Sequence, residues 1–132
     1  MGRGVRLLLD THALIWWVGG DAKLGTAAHA AIADDSNEVL VSAVSAMEVA
    51  TKFRLGKLAE AERLAQDFEA IIADQGFTSL NIVMRHARLA GSLQISHKDP
   101  FDRLLIAQSI VEDLTLVTNE ALFDDFGVSR LW

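Results

Sequence analysis

The sequence predicts an α/β protein in which a central parallel sheet is covered by helices on both faces. Three observations predict it. Short apolar runs recur at residues 5–9, 39–41, 79–82, 114–117 and 128–131, and longer stretches with helical spacing lie between them. Strands alternating with helices in this way build parallel crossover units whose strands are buried on both sides. The chain has 132 residues, of which 51% are hydrophobic and 23% charged, enough apolar material for one compact core.

In chain order, the first run ends at Asp10 and is followed by a helix over Thr11 to Gly19. Leu14, Ile15 and Val18 share one face of that helix, and Gly19-Gly20 stops it. Residues 25–33 form a second, alanine-rich helix. The strand at 39–41 leads into a helix that carries Glu48 and breaks at Gly56. Residues 59–74 read as one amphipathic helix with Leu64, Phe68, Ile71 and Ile72 on its apolar stripe. After the third strand, 83–93 is a further helix. Asp99-Pro100 then marks a helix start, because proline suits the first helical position and Asp99 can accept from free backbone N–H groups. The helix over 101–113 is apolar nearly all round, through Leu104, Leu105, Ile106, Ala107, Ile110 and Val111, and is therefore expected to be buried. The fourth strand runs toward Glu120 and the fifth closes the sheet.

Composition excludes several classes. One proline and nine glycines leave no linker or low-complexity tract, so the expectation is a single domain over residues 1–132. No apolar run is long enough to span a bilayer, and the short N-terminal one holds Asp10 and His12, which argues for a cytoplasmic protein. The absence of cysteine excludes disulfides and thiolate metal sites. A net charge of −6 argues against nucleic-acid affinity driven by a broad basic surface, so any such substrate would be held through metal ions and local cations. Arg103 and the group Lys52, Arg54 and Lys57 are the candidates, with ordinary solvated helix positions the plain reading of Lys52 and Lys57.

The acidic residues carry the chemistry. Asp10, Glu48, Asp99, Asp102 and Glu120 fall where apolar strands or helices begin or end. Carboxylates beside buried segments are costly unless paired, hydrogen-bonded or bound to a cation. In an open parallel sheet, ligands bind at the carboxyl ends of the strands where strand order reverses. If the first and fourth strands flank that crevice, Asp10 and Glu120 face each other across it, and Glu48 and Asp102 lean over the same point. Such a cluster suits a hard, oxygen-preferring ion such as Mg²⁺ or Mn²⁺.

The segments Leu-Leu-Leu-Asp-Thr-His-Ala-Leu-Ile-Trp-Trp (7–17), Val-Ser-Ala-Val-Ser-Ala-Met-Glu-Val-Ala (41–50), Arg-Leu-Gly-Lys-Leu (54–58), Asp-Pro-Phe-Asp-Arg-Leu-Leu-Ile-Ala-Gln (99–108) and Leu-Val-Thr-Asn-Glu (116–120), with the ending Phe-Gly-Val…Leu-Trp, resemble a PIN-domain ribonuclease of the VapC-like toxin group. The resemblance implies a three-layer α/β fold with about five short strands. It further implies an endoribonuclease dependent on Mg²⁺ or Mn²⁺, a homodimer, and a small antitoxin that blocks the site. Carried over by position, the first three acids are Asp10, Glu48 and Asp102. Glu120 falls where the family usually has an aspartate, and its longer side chain suits a water-bridged or supporting role. Asp99 is an additional acid of this branch and a further metal-ligand candidate. Two ions at roughly 4 Å separation would clamp the attacking and leaving oxygens, whereas one ion would leave base duty to a carboxylate such as Glu48.

Two other classes were weighed. A non-catalytic metal- or partner-binding module is disfavoured by the presence of Asp10, Glu48 and Asp102 together. An aspartate-based phosphohydrolase would use Asp10 as nucleophile but typically wants a second aspartate two residues on, where this chain has His12. His12 reads as a partly buried structural histidine, and His97 as a loop residue before the helix at 101. His29 and His86 show no partner pattern. Trp16, Trp17 and Trp132 read as core or dimer packing rather than base-stacking platforms, and Asp34-Asp35 and Asp124-Asp125 as exposed.

Overall fold

The computed structural model describes residues 4–96 and 98–132, with the backbone alone for Leu122, Asp125 and Phe126; His97 lies outside the described residues. Strands β1 (Arg6–Leu9), β2 (Glu38–Ser42), β3 (Thr78–Leu80), β4 (Thr115–Val117) and β5 (Arg130–Leu131) form one sheet in the order β3-β2-β1-β4-β5. All neighbours are parallel, with Leu7 opposite Val39 and Leu8 opposite Leu116. All five strands lie where the apolar runs predict them. The order reverses between β1 and β4, which puts the crevice at the carboxyl ends of those two strands, as expected for an open parallel sheet.

Alternate residues of one strand supply opposite cores. Leu7 and Leu9 join Val39, Val41 and Val117 beneath α1 (Thr11–Gly19), α2 (Thr26–Ala33), α4 (Glu62–Gln66) and α5 (Phe68–Asp74). Leu8, Leu40 and Leu116 pack on the other face against α7 (Pro100–Glu112), through Leu105 and Ile106, with Val44 and Phe123. The period-two alternation of strand side chains thus feeds both layers, which is the three-layer arrangement the sequence implies. Two further helices, α3 (Ala43–Arg54) and α6 (Met84–Ser92), complete the helical layers. No helix among the described residues is long and apolar enough to cross a membrane.

Two expectations are corrected. Residues 59–74 are not one helix: a 3-10 turn (Ala59–Ala61), α4 and α5 follow each other, and Asp67 at φ −126°, ψ 38° breaks the path between α4 and α5. The apolar spacing is satisfied anyway, since Leu64, Ile71 and Ile72 still reach one core. Periodicity reports the buried face and not the continuity of the helix. The second correction concerns α7. Its buried residues are Leu105, Ile106, Ala107, Gln108 and Ser109, whereas Ile110 is 40% exposed. The helix is sandwiched between the sheet and α6 rather than enclosed, and it ends with Asp113 in the left-handed region at φ 54°.

Candidate functional site

Four elements bring polar side chains to the β1/β4 crevice. Asp10 follows β1 directly. Its amide continues the ladder by donating to the Val117 carbonyl at 3.0 Å, and its carboxylate caps α1 by accepting from the Ala13 amide at 2.7 Å. A residue at the end of a buried strand and the start of a helix is held by backbone on both sides, which fixes where its carboxylate points. Burial pushes the Asp10 carboxyl up to about 6, against hydrogen bonds from the Ala13 amide and the Thr118 hydroxyl and the charge of His12; the charge of Asp102 adds to the upward push. Asp102 is thus near enough to Asp10 for its charge to be felt there. Asp102 lies in the first turn of α7, and Asp99 caps that helix by accepting from the amides of Phe101 at 2.8 Å and Asp102 at 3.2 Å.

Glu48 is buried on α3 and both of its oxygens are engaged. The Thr11 hydroxyl donates to Oε1 at 2.5 Å and the Lys52 ammonium to Oε2 at 2.6 Å. Thr11 spends its one hydroxyl hydrogen on Glu48, so the 3.0 Å contact between Thr11 and Ser45 is a bond donated by Ser45. Ser45, Glu48 and Lys52 lie three and four residues apart, on one face of α3 turned toward α1. Burial works against the Lys52 ammonium. The hydrogen bond and charge of Glu48, together with the charges of Asp99 and Asp102, outweigh it and raise the lysine pKa. A tethered cation thus stands among three of the predicted acids.

Glu120 is exposed at the start of the 3-10 turn Ala121–Phe126. The side chain that meets Asp10 from the end of β4 is Thr118, fully buried, whose hydroxyl also accepts from the Glu120 amide at 3.2 Å. Arg103, expected as a local cation for nucleic acid, instead donates to the carbonyls of Ala90 at 2.9 Å and Leu93 at 2.7 Å, and more weakly to Gly91 and Ile95, tying down the end of α6. His12 is exposed rather than partly buried, with its ring 5.4 Å from that of Trp16. The packing reading of the tryptophans holds: Trp16 meets Trp132 edge-on at 5.7 Å and Trp17 lies 6.4 Å from Phe77, all against the first core. Asp34 and Asp35 are exposed, and Asp124 is exposed in an ion pair with Arg130 at 2.7 Å.

Sequence reasoning missed Thr118, Thr11 and the engagement of Lys52. Only the last had a visible signal, the four-residue spacing of Glu48 and Lys52 on one helix. It also missed a pairing of the buried His86 with the partly exposed Glu112 at 2.8 Å, whose partners are 26 residues apart and share no local pattern.

The donor set is all oxygen, and its central member, Asp10, is a buried carboxylate without a cationic side chain bonded to it. Among the described residues no three carboxylate or imidazole groups stand close enough together to hold one ion. An all-oxygen set with a buried carboxylate suits a hard ion such as Mg²⁺, which takes one or two carboxylates and keeps several waters. Asp10 and Asp102 are the residues that would hold it.

A parallel sheet with a strand-order switch, carrying carboxylates at that switch, defines an α/β protein of the kind that binds ligands over its strand ends. The chain belongs to the PIN domain family, whose pattern it matches over residues 7–128. Its fold is similar to that of a chain in the VapBC2 complex from Rickettsia felis bound to a DNA fragment from their promoter, with a TM-score of 0.70 and 14% identity over 96% of this chain and 98% of that one. It is similar also to a chain of a toxin–antitoxin complex from Klebsiella pneumoniae (TM-score 0.67, 20% identity, 96% of each chain). A third likeness is to a chain of DNA-bound VapBC from Salmonella typhimurium (TM-score 0.68, 16% identity, 96% of this chain and 97% of that one). No protein of curated function matches the sequence.

Proposed function

We propose that this chain is a divalent-metal-dependent endoribonuclease, the toxin of a toxin–antitoxin pair, acting in the cytoplasm as a single-domain homodimer restrained by a small partner protein. The observation that carries the reading is the position of Asp10, a buried carboxylate fixed at the strand-order switch of a PIN domain by the Val117 carbonyl and the α1 cap, with Asp102 in the first turn of α7. The likeness of the fold to chains of VapBC complexes supports the toxin and partner parts.

In this reading Asp10 and Asp102 hold Mg²⁺ or Mn²⁺. When bound, the ion supplies positive charge to the phosphodiester and acidity to a water, so that no serine, cysteine or histidine nucleophile is required. The chain's own groups set the geometry. Asp10 is fixed by the α1 cap and the Thr118 hydroxyl. Asp99, through its cap on α7, fixes the first turn that presents Asp102. Glu48, held by Thr11 and Lys52, orders the α3 side of the crevice.

The test is cleavage of single-stranded and structured RNA by purified, partner-free protein. Cleavage is expected with Mg²⁺ or Mn²⁺ and is expected to stop with EDTA; persistence in EDTA overturns the metal mechanism. Expression alone should arrest growth, and co-expression with a small protein encoded beside it should relieve the arrest. A chain that is harmless alone and captures no partner is not a toxin.

A further inference from the structure

We propose that Lys52 is the residue that contacts the substrate phosphate in this site, and that Glu48 is its anchor rather than a direct ligand of the ion. The inference rests on the nuclease reading above and deepens it. Its first support is hydrogen-bond accounting. Glu48 is almost fully buried and each of its oxygens has a close donor, the Thr11 hydroxyl at 2.5 Å and the Lys52 ammonium at 2.6 Å. An ion bound directly would have to share an oxygen that already accepts a close bond, and would sit beside the Lys52 ammonium, whose like charge opposes it.

The second support is the position of the ammonium. Lys52 is one turn beyond Glu48 on α3 and keeps 29% of its side chain accessible, so it is anchored yet reachable. The charges of Asp99 and Asp102 act on it as well as that of Glu48, which places it over the α7 side of the crevice. The third support is charge. A phosphodiester entering among Asp10, Glu48, Asp99 and Asp102 meets more negative charge than one divalent ion cancels, on a chain of net charge −6. Arg103, beside Asp102 in sequence, is spent on carbonyls at the end of α6, and Lys98, beside Asp99, is exposed. Lys52 is the cation bonded to a site carboxylate, and a lysine ammonium with three donors can serve Glu48 and a phosphate oxygen together.

This assignment predicts effects of opposite sign on the ion and on RNA. In titrations of Mn²⁺ without nucleic acid, Lys52→Met should bind the ion roughly three- to tenfold tighter than the native chain, because a positive charge near the ion is gone. Binding of a single-stranded RNA oligonucleotide in Ca²⁺, followed by fluorescence anisotropy, should weaken about tenfold or more, and KM for cleavage in Mg²⁺ should rise. Lys52→Arg should restore both RNA affinity and native Mn²⁺ affinity to within about threefold. Glu48→Gln, which removes one negative charge near the ion, should weaken Mn²⁺ binding by no more than the roughly three- to tenfold that Lys52→Met gains, while weakening RNA binding, since it frees the lysine. If Lys52 only buttresses a metal-ligating Glu48, both Lys52→Met and Glu48→Gln weaken Mn²⁺ binding, and the inference is overturned. Unchanged RNA affinity in folded Lys52→Met overturns it equally. A native chain that binds no Mn²⁺ fails at an earlier step, overturning the nuclease reading and this inference with it.

Discussion

Asp10 serves two ends that conflict electrostatically: it starts α1 as a cap, and it keeps a buried negative charge at the strand-order switch. An aspartate titrates near 3.9 in an unfolded chain and at about 6 here, because of burial. The native state therefore binds the proton more tightly. The stability contributed by neutral Asp10 is fully present below about pH 4 and is lost as the pH rises through about 6. Asp10→Asn keeps a capping oxygen and removes the charge, so without metal it should be the more stable protein by about 3 kcal/mol at pH 7. The difference should vanish near pH 4. Urea unfolding of both proteins at the two pH values measures it, and a pH-independent difference would show that the carboxyl does not titrate in this way. Mg²⁺-dependent cleavage by Asp10→Asn should collapse in the same preparation. Stability given up at one carboxylate for the sake of cation binding is the trade expected of a functional site.

At the scale of elements, the junction of α6 and α7 rests on two residues of one short motif. Asp99 caps α7, and Asp99→Ala should cost about 1 kcal/mol. Arg103 satisfies part-buried carbonyls in and just after the last turn of α6, and Arg103→Met should cost about 2 to 3 kcal/mol in thermal or urea unfolding. If Arg103 served nucleic acid instead, RNA affinity would fall with no loss of stability. At the start of α2, a β-carbon on Gly25 would stand 2.8 Å from Trp132 Cδ1 and 2.9 Å from the Trp132 backbone carbon. Gly25→Ala should therefore lower the melting temperature, at a cost of about 1 to 3 kcal/mol, because backbone cannot step aside as a flexible side chain can. The five strands and the ends of α1 and α7 were legible because continuous apolar runs, a glycine stop and Asp-Pro each have one dominant physical reading. The split at Asp67 was not, since a helix and two shorter helices on one path present the same apolar stripe. The Asp99 cap was legible from position alone, as was the place of Asp10 at the end of β1. Thr118 and the anchoring of Lys52 were not, because a hydroxyl or an ammonium gains its role only from what the fold sets beside it.

At the scale of the whole molecule, charge sets how the proposed nuclease would hold RNA. Proteins that grip nucleic acid through many phosphates release many counterions, and their affinity falls steeply with salt. This chain has net charge −6. Of its cations, Arg103 is committed to backbone carbonyls, Arg130 to Asp124 and Arg6 to Glu38. Arg85 and Arg88 line a separate groove with Ile110 and Val111, on the outer side of α6 and α7. Lys52 is bonded to a site acid and Lys98 is exposed beside Asp99 in sequence, so one or two phosphates are what these side chains would neutralise, with the ion supplying the remainder. The logarithm of RNA affinity against the logarithm of KCl concentration, at fixed Ca²⁺, should then have a slope of about −0.7 to −1.4, as one or two contacts to a single strand give. Lys52→Met should flatten it by about 0.7, the share of one phosphate contact. A slope of about −4 or steeper would mean six or more phosphates held by side chains. In that case the binding surface would have to extend well beyond the crevice, onto a basic face such as that of Arg85 and Arg88 or one completed by a second subunit.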